Sequence, residues 1–224
     1  MKKKYFGIVI LLYALAFVGC KSDSSIVAAD DSALNVEAQQ IEDAIASLPK
    51  TELSDSAENG LIFMREEEKL ARDVYLFFYE KYGLRIFNNI AKSESTHMSA
   101  IKMLLDKYEL KDPVEIDEIG VFQNQDLAAL YTQLTEAGNV SLLEALKVGA
   151  TIEDLDIKDL MEFSAEIESE DILLVYNNLT KGSRNHLRSF YSRVLQYGGT
   201  YGPQFISQEL FDTIINSPKE RGSW

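Results

Sequence analysis

Apolar residues in this chain recur at alternating spacings of three and four over four long stretches, the period of a helix with one buried face. The first stretch runs from Ser54 or Asp55 to about Tyr82, with Gly83 as its stop. Its stripe is Leu61, Met64, Ala71, Tyr75, Phe78 and Tyr82, and the missing member at position 68 is Glu68. Glu66 and Glu67 beside it fall on other faces, where solvent is expected. The second stretch, about Leu84 to Leu110, has the stripe Ile86, Ile90, Ile101, Leu104 and Tyr108, which passes through Glu94 and His97. Ser141 and Glu144 form a capping box that starts the third. Its stripe is Leu142, Leu146, Gly149, Glu153, Asp156, Leu160 and Phe163. The fourth begins near Ser169 to Asp171, follows Ile172, Tyr176, Leu179, Ser183, His186, Phe190 and Val194, and ends before Gly198 and Gly199.

The connections complete an expected topology. The first two helices are joined by a very short turn near Gly83, so they are antiparallel neighbours. Val114 to Asn139 is a long connection holding one short helix, Gln125 to Glu136, closed by Gly138. A crossover of that length suits parallel second and third helices. The expected fold is therefore all-α: an antiparallel four-helix bundle with a long crossover between helices 2 and 3. A small helix from Gln208 to Ile215 follows in the tail.

Every long stripe carries polar groups at its middle: Glu68, Glu94, His97, Glu153, Asp156 and His186. The chain has 2 histidines and both lie on stripes. Glu94 and His97 are three residues apart, the spacing that lets two ligands on one helix reach one metal ion. Buried carboxylates are costly unless paired, hydrogen-bonded or bound to metal. Two divalent cations would neutralise Glu68, Glu94, Glu153 and Asp156, leaving the neutral imidazoles to complete the shells. Arg72, Arg184 and Arg188 lie off the stripes; protonated acids are the other way to relieve the charge. Tyr75 sits about 10 Å along the helix axis from Glu68, as core or as an electron carrier. Gly149 and Gly182, inside helices at some cost, provide either room for a small ligand or close helix packing.

Length and charge narrow the picture further. The 224 residues suffice for one sizeable core, and the formal net charge is −14. Such a chain offers no basic surface for nucleic acid. Lys2, Lys3 and Lys4 precede an apolar run from Tyr5 to Val18, which reads as an export signal too short to span a membrane comfortably. The chain's single Cys excludes an internal disulfide. Phe17-Val18-Gly19-Cys20 resembles a bacterial lipobox, with Phe17 in place of the usual Leu. It implies a lipid-anchored mature chain starting at Cys20, on the cell envelope; Lys21 after the cysteine points to the outer membrane. The expected organisation is a signal over 1–19, a tether over 20–53 with a short helix from Val36 to Leu48 that Pro49 ends, a helical domain over 54–217 and a tail over 218–224.

Glu68-Lys-Leu-Ala71-Arg72-Asp-Val-Tyr75 followed by Glu94-Ser-Thr-His97 resembles the first half of a rubrerythrin-type ferritin-like protein. Met64 to Tyr75, Glu153 to Asp159 and Gly182 to Leu187 resemble more closely an uncharacterised bacterial and archaeal family of that superfamily. The resemblance implies a four-helix bundle with a dinuclear metal site, usually iron, with manganese or zinc as alternatives. It also implies an oxidoreductase acting on dioxygen or peroxide, fed by an external electron donor, or a metal-sequestering protein without turnover. A bundle that binds nothing is the third reading. One departure stands out: the fourth helix has Ser183-x-x-His186 where the family pattern has Glu-x-x-His. Asp156, one turn from Glu153, is expected to replace that carboxylate at the His186-side ion; otherwise Ser183 leaves an open coordination position. Glu94 and Glu153 are the expected bridges.

Overall fold

The structure, a computed structural model, describes residues 38–222. The Lys2–Val18 stretch and Cys20 lie outside the described residues. Among the described residues the protein is all-helical, with seven helices. They are α1 (38–46), α2 (Asp55–Tyr82), α3 (Arg85–Tyr108), α4 (Gln125–Gly138), α5 (Leu142–Ser164), α6 (Glu170–Gln196) and α7 (Gln208–Asn216). No helix among the described residues is long and apolar enough to cross a membrane.

Local chemistry sets the helix ends. The Ser54 side chain accepts the Ala57 N–H at the start of α2, and Gly83 ends it at φ 64°. That left-handed conformation is open to glycine without a Cβ penalty. Ser141 accepts from Glu144 N at the start of α5, and Ser207 from Leu210 N at the start of α7. Asn124 caps α4. Glu109, by contrast, takes the left-handed conformation at the end of α3 with no glycine to ease it.

α2 packs along α3 and α5 along α6, and the pairs meet through α2 with α5 and α3 with α6. The apolar core falls into two clusters. One holds Val74, Tyr75, Phe78, Phe87, Ile90, Leu146, Phe190 and Val194. The other holds Leu61, Met64, Ile101, Leu104, Leu160, Ile172, Tyr176 and Leu179. Along α2, α3 and α6 the polar stripe residues separate the two clusters, and on α5 Glu153 and Asp156 lie between Leu146 of the first and Leu160 of the second, so the acids and histidines form a layer across the middle.

The short helix expected within the tether is present over 38–46, and its Ile41 and Ile45 are buried in the second cluster, so this part of the chain packs on the bundle. Lys107 Nζ donates to the Ile45 and Leu48 carbonyls, both 2.9 Å away, and so fastens the end of that helix. One expectation about α2 is corrected. Glu66 and Glu67 are each 3% exposed, not solvated. The long connection covers Glu66, and Glu67 faces Asp156 and Asp159 of α5, neither of which periodicity within α2 could reveal.

Buried charges on α2 hold that connection. Glu66 accepts from the backbone N–H groups of Gln123 (2.6 Å) and Asn124 (3.0 Å). Lys69, fully buried, donates to Asp73 Oδ2 (2.5 Å) and the Glu118 carbonyl (2.7 Å) and lies over the Phe122 ring. Arg65 makes a two-pronged contact with Asp112, and Arg72 bridges Asp73 and Asp117. On α5, buried Asp154 does the same for the tail. Its Oδ2 accepts from Tyr201 Oη (2.9 Å), Gln204 N (2.5 Å) and Phe205 N (3.2 Å), and its Oδ1 from Ile206 N (2.9 Å).

Asp154→Ala removes all four acceptor contacts and leaves backbone N–H groups without a partner. A loss of roughly 2–4 kcal/mol is expected by chemical denaturation. Amide exchange should accelerate first at residues 201–206; uniform acceleration across the helices would show instead that the tail and the core open together.

Candidate metal centre

Six polar stripe residues meet in the layer between the two clusters. α2 delivers Glu68, α3 Glu94 and His97, α5 Glu153 and Asp156, and α6 His186, all at most 9% exposed. In two groups, Glu68–Glu94–His97 and Glu94–Glu153–His186, one donor atom from each residue lies within 4.8 Å of the others. Glu94 belongs to both. Its Oε2 is 2.7 Å from His97 Nδ1, and its Oε1 is 2.9 Å from His186 Nδ1. Glu68 Oε2 lies 3.1 Å from His97 Nδ1, and Glu153 Oε2 lies 3.3 Å from His186 Nδ1. The two imidazole rings stack with centroids 5.7 Å apart.

Several donor atoms are close without being hydrogen-bonded. Glu94 Oε1 and His186 Nδ1 are near each other but misaligned, so both are buried without a hydrogen-bond partner. Glu68 Oε1 and Asp156 Oδ1 are also buried and unpartnered. Buried polar atoms are almost always satisfied. Buried carboxylate oxygens without donors suit a cation, and His186 Nδ1 can join them once the ring gives up its proton. The donor set of carboxylate oxygens and imidazole nitrogen suits iron, manganese or zinc.

The electrostatics follow from crowding in a dry layer. Burial raises Glu94, but His186 and His97 outweigh it and bring its pKa down to about 2. Burial raises Glu68, and His97 only partly offsets this, leaving it at about 7. Burial opposes a charged His186 ring, yet Glu94 and Glu153 raise it to about 10. His97 is likewise raised well above its usual value by Glu68 and Glu94 against the effect of burial. Burial, then Glu68 and Glu153, push Asp156 well up.

Asp156 stands outside both three-residue groups. Expected beside the His186-side ion, it instead accepts a hydrogen bond from Ser183 Oγ on its Oδ2. Ser183 Oγ is also 2.9 Å from the Leu179 carbonyl, so the hydroxyl is engaged with its neighbours. Glu153 belongs to one group only, which leaves Glu94 as the one carboxylate common to both.

The interior glycines serve close packing. A Cβ on Gly182 would fall 2.7 Å from His97 Cε1, and one on Gly149 would fall 2.5 Å from Phe190 Cε1. α6 thus offers bare backbone to the His97 ring. Tyr75 is fully buried against Phe87 and Phe190, and its hydroxyl lies 2.5 Å from Glu153 Oε1. Its stripe position was visible in the sequence, but this contact across to α5 was not. Glu67 was missed altogether. Both its oxygens are buried without a partner, and burial, Asp156 and Asp159 raise its pKa well above the usual range.

An all-helical protein with two buried carboxylate–histidine groups sharing one glutamate is the class that this geometry defines. Residues 57–218 match the family described as an uncharacterized protein domain, DUF2202, and the chain belongs to that family. It is 56% identical over 178 residues to the uncharacterized protein MJ0754 of the archaeon Methanocaldococcus jannaschii, covering 80% of this chain and 96% of that one. The crystal structure of the hypothetical protein MJ0754 superposes with a TM-score of 0.76 at 55% identity, covering 77% of this chain and 99% of that chain.

Ligating imidazoles must be neutral, whereas His97 and His186 hold protons at pH 7 without metal. Metal uptake should therefore release at least two protons per chain at pH 7, one from each imidazole and a further fraction from Glu68, which titrates at about 7. Affinity should rise with pH until His186 loses its proton near 10. Calorimetry in buffers of different ionisation enthalpy measures the proton count. Uptake without proton release would mean that the histidines are not ligands.

Proposed function

We propose that this protein is a dinuclear metal carboxylate protein of the ferritin-like kind, with iron as the resident metal and dioxygen or peroxide as the reactant. The observation that carries this reading is the pair of buried donor groups hinged on Glu94, with oxygens and an imidazole nitrogen left without partners. In this reading α2, α3, α5 and α6 form an antiparallel four-helix bundle, and residues 109–141 are the crossover containing α4. Support comes from which ends share a core cluster. Tyr75 and Phe78 of α2 lie with Phe87 of α3, and Leu61 with Leu104. Leu146 of α5 lies with Val194 of α6, and Leu160 with Ile172. Phe87 and Leu146, both early in their helices, share a cluster, as parallel α3 and α5 require.

Glu68, Glu94 and His97 would hold one ion and Glu94, Glu153 and His186 the other. A redox metal pair held there would supply the electrons for reducing dioxygen or peroxide. The chain's own residues supply position and dryness. Tyr75 holds Glu153 in place through its hydroxyl and can return a proton to it. Phe87 and Phe190 exclude water from that side. Asp156, raised in pKa and bonded to Ser183, is a proton-holding group at the edge of the layer. Electrons would come from an external donor, since the chain's single cysteine cannot form a cysteine-ligated electron-transfer centre. Storage without turnover is the competing use of the same residues; oxidation of a reductant by peroxide, present or absent in the iron-loaded protein, separates the two.

Elemental analysis should give two metals per folded chain, and Glu94→Ala should bind none because both groups lose their shared carboxylate. Asp156→Ala leaves three donors in each group and should retain two. One metal in the wild type, or two in Glu94→Ala, would refute the dinuclear arrangement.

We also infer that the chain is exported and anchored to the cell envelope through lipid on Cys20. The intact mass of protein from its native membrane should correspond to a chain starting at Cys20 with acyl and diacylglyceryl groups. Cleavage elsewhere or an unmodified thiol would exclude the anchor.

A further inference from the structure

A cavity of about 750 Å³ opens beside His186, between the first turns of α3, the second half of α6 and the tail. Its lining includes Arg85, Arg188, Arg193 and Lys219, and no carboxylate. That is unexpected in a chain with 36 acidic and 22 basic residues, where a random patch would be acidic. The positive charge is also largely uncommitted. Among the described residues Arg85 and Lys219 have no ion-pair partner, and Arg193 donates to the neutral Gln196 side chain. Arg188 is the fixed wall: it donates to the Ile214 carbonyl, Asn185, Ser217 and Glu220. The first turn of α3 carries no acidic residue, and Leu84 provides no side-chain cap, so the helix N-terminus adds to the positive potential.

Two more features define the ligand. Ile86 and Ile90 give the cavity an apolar side, which an inorganic anion would not use. The volume falls in the range of small-molecule sites, about 300–1,000 Å³. His186 is the member of the candidate metal centre that reaches the cavity; His97 does not line it. We propose that this cavity binds a small organic carboxylate next to His186, and is the entrance for an anionic ligand to the candidate metal centre. The binding itself stands on the cavity; only its role as an entrance rests on the metal reading. The acid group would sit between Arg85, Arg193 and Lys219, and the aliphatic body against the isoleucines.

The test uses metal-free full-length mature protein, so that absence of metal cannot mask the result. Hexanoate is titrated and followed by calorimetry and by the imidazole resonances, with hexanol as the neutral analogue. Saturable hexanoate binding is expected, at least tenfold tighter than hexanol, with the His186 ring shifting. Arg85→Glu/Lys219→Glu should weaken it at least tenfold, while Lys111→Glu, on an exposed residue outside the cavity, should not. Both reversed positions are exposed, and a glutamate at the start of α3 favours the helix, so an unchanged thermal midpoint is expected. No saturable binding, equal affinity for hexanol, an unchanged double variant, or an unmoved His186 resonance would each overturn the proposal. Metal content, measured separately, decides the dinuclear reading whatever the outcome here.

Discussion

The carboxylate of Glu94 lies between two imidazoles, 2.7 Å from His97 and 2.9 Å from His186, in a layer with almost no access to water. Much of the structure depends on that arrangement. One charged group cannot leave water without a countercharge, and here two stacked rings from different helices provide it. The contact joins α3 to α6. Glu68 then ties α2 to the His97 side, and Glu153 ties α5 to the His186 side. Four helices are thus held in one register by side chains that would be unstable apart. The apolar clusters on either side supply the bulk of the burial, but hydrophobic contact is non-directional and would tolerate a slip along a helix. The polar layer would not.

A second set of buried charges works at longer range. Glu66, Lys69, Asp73 and Arg65 all sit on α2 and hold the connection between α3 and α4. Asp154 on α5 holds the segment before α7. These segments are irregular, so their backbone N–H groups need partners that no helix provides. The same helices therefore use their inner stripes for the candidate centre and their flanks for the covering segments. Arg184 and Arg188 on α6 extend this to Glu220 in the tail, which fixes one wall of the basic cavity.

All-helical character and most helix ends were legible in the sequence. α2 was expected to start at Ser54 or Asp55 and stop at Gly83, and it runs Asp55–Tyr82. The capping box at Ser141 marks the start of α5. Period and capping are local properties, encoded within a few residues, so a single chain displays them without reference to partners. For the same reason the stripe positions of Glu68, Glu94, His97, Glu153, Asp156 and His186 were predictable, and all six are buried. Glu66 and Glu67 were misjudged because segments far away in the chain cover them.

What the sequence determined by itself was which face of each helix turns inward, and therefore which acids and histidines must share the interior. Tertiary structure decided how they pair. Glu94 takes both histidines, Asp156 turns to Ser183, and Tyr75 reaches Glu153 across 78 positions of chain. Those choices depend on the rotation and depth of one helix against another, set by contacts such as the bare backbone of Gly182 under His97. No local pattern records an inter-helix offset of a few ångströms, and at that scale a carboxylate becomes either a shared ligand or a neighbour.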